Sequence, residues 1–380
     1  MKFLIEKYIL EKADELAFIT IKNDADFHLD GYALPAGGLD VPIKNDVLVK
    51  GIKENTAQER LSAMSFADAM IYIIGIDSNF KNNEEYRKFI KAFEDKTDFD
   101  AKAYMGYMSR KYFEVGENTD ALIYLKALIT MDENDVEGLY HYAIVCQEIA
   151  TKYQKDEEFE AMEKYLLDAL EKLEKIIDID EEFAYAYYQL GYHYYNQGQF
   201  IKAKLTWEKA MSLGIDKDQY AEIQDNIGKM DSKVQYEEGC NLLFGGKPRE
   251  ALEKLLPLED EYQYWWNLLF MIGLCYKYLE ELEDARGYFE KILILDPEQV
   301  DSIVELGLLD AAIGNITGAI SHLERAAKLK EDPEIFCNLG MAYLSNGEVD
   351  DASYFIERAH EMNPEDEVTL ACIQELNKYK

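Results

Sequence analysis

From residue 102 to residue 366, small and large apolar residues return in a fixed order at helical spacing, not strand spacing. Gly191 is followed twelve residues later by Ala203, then by Trp207 and Ala210. Gly273 leads in the same way to Ala285 and Phe289, Gly307 to Ala319, Leu323 and Ala326, and Gly340 to Ala352, Phe355 and Ala359. Gly239 leads to Ala251 and Leu255. Gly239, Gly273, Gly307 and Gly340 stand 34, 34 and 33 residues apart. Ser109, Tyr112, Ala121 and Leu125 mark an earlier unit with serine in place of glycine, and Ala143 and Ala169 mark the next. Two intervals carry fourteen residues too many. One holds the charged stretch KYQKDEEFEAMEKY, which predicts a lengthened helix pair near 150–165. The other holds GIDKDQYAEIQDNIGKMD, which predicts an added short helix near 214–231.

Residues 1–100 do not follow this order. MKFLIEKYILEKADEL reads as a helix. LAFITI and FHLDGYAL flank NDAD and predict a β-hairpin. LPAGGLDVPI, with two prolines and two glycines, predicts a loop, and helical patterning resumes from Asn45 to about Phe93 with breaks near Asp77–Asn83. The expected organisation is an N-terminal non-repeat domain over 1–100, α+β or helical, a repeat array over 101–366 and a capping helix over 367–380.

The repeating segments YYQLGYHY…AKLTW, LFMIGLCY…ARGYF…DP, IVELGLLD…AISHL and FCNLGMAY…ASYFIERA…NP resemble the tetratricopeptide repeat (TPR) family. That family's unit of ~34 residues reads W-x2-L-G-x2-Y, then A-x3-F, then P. The opening tryptophan is replaced by Tyr187, Leu269, Ile303 and Phe336, and Pro297 and Pro364 stand where a proline would end a second helix. The resemblance implies an all-α fold, an α-solenoid of about seven helix pairs. A small residue lets two antiparallel helices approach, and one pair cannot bury its own apolar face, so pairs must stack.

FAYAYYQLGYHYYNQGQF, from Phe183 to Phe200, contains six tyrosines. Tyr187, Leu190, Gly191 and Tyr194 occupy signature places. Tyr185, Tyr188, Tyr192 and Tyr195 remain, spaced three, four and three residues apart on one helical face. In the family the first helix of each pair lines a concave groove, so the resemblance turns this face toward a ligand. Equivalent places carry Phe270, Leu274 and Tyr278, then Leu308, then Met341 and Leu344, while Asn196 and Asn267 add amides. Tyrosine suits such a groove because it buries a large area at low entropic cost and keeps a hydroxyl. A tight superhelix, or a groove plugged by the N-terminal residues or the added helix, would bury the same rings.

Composition narrows the partner. Forty basic residues against 75 acidic ones leave a formal charge of −35. Such a field repels nucleic acid and anionic lipid and attracts basic peptides. Neither a nucleic-acid nor a membrane partner is expected, and a protein or peptide partner, basic or apolar, is. The five cysteines (Cys146, Cys240, Cys275, Cys337, Cys372) are scattered without a CxxC and read as reduced, packed thiols. The start lacks an apolar signal region, and a cytoplasmic setting is expected. His28, His141, His193, His322 and His360 lack the spacing of a helical zinc pair, and GGKPRE at 245–250 lacks the spacing of a phosphate loop and reads as a turn. No catalytic motif, metal site or cofactor site is evident. The functional expectation is a non-catalytic adaptor or scaffold, with a peptide-sensing TPR regulator of a signalling protein as the alternative. The sequence leaves the oligomeric state open.

Overall fold

The computed structural model describes residues 2–22, 29–53 and 62–379. The chain forms two compact units, Met1–Ile223 and Gln224–Lys380.

The first unit begins with α1 (Glu6–Ile9), which runs into a 3-10 turn over Leu10–Glu15. β1 (Leu16–Ile21) pairs antiparallel with β2 (Leu39–Lys44), Leu16 opposite Lys44 and Ile21 opposite Leu39. This corrects the expected hairpin. The partner strand is LDVPIK, taken from sequence as loop, whereas Leu29 and Tyr32 form only an isolated bridge. The expected turn NDAD, with Phe27 and His28, lies outside the described residues. Leu39, Val41 and Ile43 alternate into the core, which outweighs Pro42. Each strand of a two-stranded sheet is an edge, where a missing N–H costs little. α2 (Asn45–Lys53), α3 (Ala63–Ile76) and α4 (Asn83–Lys96) follow.

Three helix pairs complete this unit: α5 (Ala101–Glu114) with α6 (Asn118–Met131), α7 (Val136–Lys155) with α8 (Phe159–Ile179), and α9 (Ala184–Asn196) with α10 (Phe200–Leu213). α7 and α8 are 20 and 21 residues long, against 13 and 14 for α9 and α10. Seven extra residues are two helical turns, so the fourteen extra residues extend both arms of one hairpin. The added helix is α11 (Lys217–Lys229).

The second unit stacks four pairs: α12 (Asp231–Phe244) with α13 (Pro248–Glu259), α14 (Trp266–Tyr278) with α15 (Leu282–Leu295), α16 (Val300–Ala312) with α17 (Ile316–Leu329), and α18 (Pro333–Ser345) with α19 (Val349–Met362). α20 (Glu367–Leu376) caps them.

The sequence order has a direct packing cause. A Cβ added at Gly191 would lie 2.2 Å from Trp207. At Gly239 it would meet Leu255 at 2.5 Å, at Gly273 Phe289 at 2.8 Å, and at Gly307 Leu323 at 2.9 Å. Each partner stands sixteen residues after its glycine. The same count in the last pair gives Ile356, which a Cβ at Gly340 would meet at 2.6 Å. Phe355, which the sequence reading placed in that slot, instead stacks on Tyr343 with centroids 5.7 Å apart. The turn inside each pair also repeats. Gly116, Gly198, Gly246, Gly314 and Gly347 take left-handed backbone there, and Gly246 lies within GGKPRE. In the α7/α8 and α14/α15 turns the position is held by Glu157 and Glu280, at φ 61° and 63°.

Residues 1–100 share the first unit with three repeat pairs because they are tied to second helices through buried charges. Asp168 on α8 accepts hydrogen bonds from the Tyr142 hydroxyl (2.5 Å), the Lys172 ammonium (2.9 Å) and the Leu4 N–H (3.3 Å). Lys126 on α6 is fully buried and pairs with Glu6 at 2.5 Å. Burial pulls its ammonium below the ordinary lysine range, and the Glu6 bond only partly opposes this. Asp120 accepts from Lys12 and Tyr72, and Asp68 on α3 from Tyr104 and Tyr124. Here several tyrosines satisfy buried carboxylates that would otherwise be costly. α3 lies against α6 at backbone contact: a Cβ on Gly75 would fall 2.0 Å from the Ile123 carbonyl oxygen.

Candidate functional site

α9 carries the tyrosine face. Four small residues at packing positions (Ala184, Ala186 and Gly191 on α9, Ala203 on α10) are buried, and they let α9 sit close to its neighbours. Tyr194 is buried, while Tyr187 is half-buried. Tyr185 is 38% exposed and sits beside Phe183 and Tyr140, at 6.1 and 6.2 Å between centroids. Tyr140 on α7 was missed from sequence because α7 lacks a tyrosine-dense run.

Tyr188, Tyr192 and Tyr195 are half-buried and less free than their spacing implies. The Tyr192 ring meets Trp207 edge-on at 4.8 Å, and Tyr195 meets it at 5.8 Å. Trp207 donates its indole N–H to the Tyr188 carbonyl at 3.1 Å. The hydroxyls of Tyr188 and Tyr192 both donate to the Glu222 carboxylate on α11, the former at 3.0 Å. The added helix thus engages two of the four tyrosines through one acidic group. Burial first, and then the Glu222 bond, raises the Tyr192 hydroxyl far above the ordinary tyrosine range, so it stays a donor.

Two clefts follow the first helices of this unit. The cleft between α5 and α7 has a volume of about 530 Å³ and presents Tyr107, Arg110, Phe113, Glu137 and His141 over Leu125 and Leu128. None of these was singled out as a binding residue from sequence, because each lies in a repeat with a degenerate signature. The cleft between α7, α8 and α9 has a volume of about 740 Å³. It brings the candidates Tyr192 and Asn196 together with Gln147, Gln154, Gln189 and Leu166.

The candidates in the second unit are unequal. Tyr278 is 64% exposed, and Asn267 is exposed. Phe270 and Leu274 are half-buried against the Phe289 core, Phe270 at 5.4 Å from that ring. Leu308 and Met341 are half-buried. Leu344 is buried at 6% exposure within the last pair's core, so it is withdrawn from the candidate surface. It falls one helical turn beyond Met341, where the capping arrangement closes over the stack.

Other polar clusters are structural in geometry. Asp310 accepts from Arg286 (2.7 Å) and Asn315 (3.1 Å) and meets His322 Nδ1 at 2.9 Å, joining α15, α16 and α17. Burial alone would raise this carboxyl, but the Arg286 and Asn315 bonds outweigh it and hold it below the usual range. Among the described residues no group of three or more His, Cys, Asp or Glu is placed to hold a metal, and no helix is long and apolar enough to cross a membrane. The five cysteines are free, and Cys240 alone among them is not fully buried.

Residues 267–299 and 304–367 each match a tetratricopeptide repeat family model. With the repeated small-residue packing of the helix pairs, this makes the chain a tetratricopeptide repeat protein. It is similar to the protein CTR9 homolog of Arabidopsis thaliana, 34% identical over 77 residues, or 20% of this chain and 7% of that protein. It is also similar to the TPR repeat-containing protein MJ1428 of Methanocaldococcus jannaschii, 21% identical over 240 residues, or 58% of this chain and 41% of that protein. The chain thus spans less than half the length of these relatives. Among solved structures, the APC/C hetero-tetramer Cut9–Hcn1 is 13% identical with a TM-score of 0.41, covering 86% of this chain and 69% of that one.

Proposed function

We propose that this protein is a non-catalytic adaptor that holds a protein or peptide partner on the first-helix face of its repeats, centred on α9. The observation that carries this reading is that Tyr192 and Asn196 line an open cleft of about 740 Å³, a size suited to a short bound segment, while Tyr185, on the same face of α9 by its spacing, is 38% exposed. Half-exposed aromatic rings next to the Asn196 amide, which has no hydrogen-bond partner among the described residues, provide apolar area and directional bonds together. The acidic charge of the chain would speed the approach of a basic partner without fixing its register.

The test places a photo-cross-linking phenylalanine analogue at position 185 and, separately, at position 205. Leu205 lies on α10 and is 61% exposed. The reading expects position 185 to capture a defined segment of a partner that position 205 does not. Capture at 205 alone, or equally at both, contradicts it.

A further inference from the structure

The cleft between α7, α8 and α9 differs chemically from the rest of this chain. Three in ten residues overall are charged, yet Glu163 is the one carboxylate in this cleft and no lysine or arginine lines it. Five carboxamides do: Gln147, Gln154, Gln189, Asn196 and Gln197. Gln197 is engaged with the His193 ring at 2.8 Å. The side-chain amides of Gln147, Gln154 and Asn196 have no hydrogen-bond partner among the described residues, and all three are exposed or half-exposed. Met162, Leu166 and Leu167 form the apolar wall.

The cleft exists because of the lengthened pair. Gln154 and Met162 lie on the turns that α7 and α8 add beyond the length of their neighbours. Those turns are held in place by ring contacts among Tyr153, Tyr165 and Tyr8, at 5.5, 5.8 and 6.2 Å. The extra turns are therefore a packed wall, built from the chain's own N-terminal residues outward.

A carboxamide offers a donor and an acceptor in one plane, the same pair that a peptide group presents. An anionic ligand would meet no lysine or arginine here, and a cationic one only Glu163, so ligand charge goes largely unpaired, which a partly desolvated site penalises. We infer that this cleft takes an extended, uncharged peptide segment and reads its main chain through Gln147, Gln154 and Asn196, with the apolar wall accepting side chains of small or moderate size. This rests on the adaptor reading and deepens it: the surrounding acidic surface governs approach, while the carboxamide-rich cleft governs recognition.

The probe is a capped, fluorescent peptide of about ten residues made of serine, threonine, alanine and glutamine, titrated against the full chain by anisotropy. A second peptide has the same sequence with alternate backbone nitrogens methylated, and a third carries lysine at alternate positions. The uncharged peptide should bind, with an affinity nearly flat between about 0.05 and 0.5 M salt. Methylation should weaken it at least about tenfold, because several N–H donors are lost at once. Gln147→Ala, Gln154→Ala and Asn196→Ala should each weaken it about two- to tenfold with unchanged melting. Gln154→Glu serves as a second variant and should weaken it further than Gln154→Ala. The inference is overturned if the uncharged peptide does not bind, if methylation leaves binding unchanged, or if the lysine peptide binds more tightly with a steep salt dependence. If a partner segment still cross-links at position 185 in that case, the adaptor reading stands without the cleft. If position 185 captures nothing either, both fall.

Discussion

Gly191→Ala adds one methyl group where α9 packs tightly on α10. The new Cβ would lie 2.2 Å from Trp207 Cδ1 and Nε1, more than ~1 Å inside ordinary carbon contact. The indole is poorly able to retreat. Its N–H is bonded to the Tyr188 carbonyl, and its face carries Tyr192 at 4.8 Å and Tyr195 at 5.8 Å. Overpacking of a tight core costs about 1–3 kcal/mol. Losing the buried indole bond adds about 1 kcal/mol. Alanine's better helix propensity returns about 1 kcal/mol. The net expectation is a loss of about 1–3 kcal/mol. Gly106→Ala is the control, since a Cβ there meets nothing within 4 Å. It should stabilise by about 0.5–1 kcal/mol through propensity alone. Urea melts of the two single variants give the signs directly. A Gly191→Ala protein as stable as the parent would refute the packing argument, and a double variant with Trp207→Leu should be less destabilised than the sum of the two changes.

Glu280→Gly should stabilise the second unit by about 0.5–1 kcal/mol, because relief of left-handed strain of about 1–2 kcal/mol exceeds the added backbone entropy of glycine; thermal melts decide, and a lowered midpoint contradicts it. Tyr192→Ala should cost about 2–3 kcal/mol because its ring packs on Trp207, whereas Tyr185→Ala should cost under about 1 kcal/mol; equal losses in urea melts would contradict the difference. Asp310 is depressed in the folded state, so its contribution is present above the unfolded carboxyl range near pH ~4 and is lost as pH falls through its lower folded value. Stability of the parent should therefore fall more steeply below about pH 4 than that of Asp310→Asn, and superimposable pH profiles would contradict this.

The repeat order was legible because one steric need, a small residue facing a large one, recurs in every pair and leaves a fixed spacing in the chain. The lengthened pair showed itself in the same way, as two helical turns on each arm. The sheet was misread because Pro42 and the glycines before it look like loop, and local composition does not reveal that Leu39, Val41 and Ile43 share a buried face. The tyrosine face was only partly legible. Helical spacing put Tyr185, Tyr188, Tyr192 and Tyr195 on one side of α9, but the Glu222 bonds come from a helix about thirty residues away. The carboxamide cleft was not legible beyond Tyr192 and Asn196, because its walls combine residues from three helices that share no motif. Leu344 followed the pattern of a groove position and was buried by the closing of the last pair.

The central claim is that the first-helix face at α9 holds the partner. Its most direct measurement is the affinity of the partner segment captured at position 185, purified and titrated against the parent chain, Tyr185→Ala with Asn196→Ala, and Leu205→Ala. Loss of an aromatic anchor together with an amide should weaken binding by about 2 kcal/mol or more, while melting stays near that of the parent. Leu205→Ala should bind as the parent does. Unchanged affinity in the Tyr185/Asn196 variant, or equal loss in Leu205→Ala, would contradict the account.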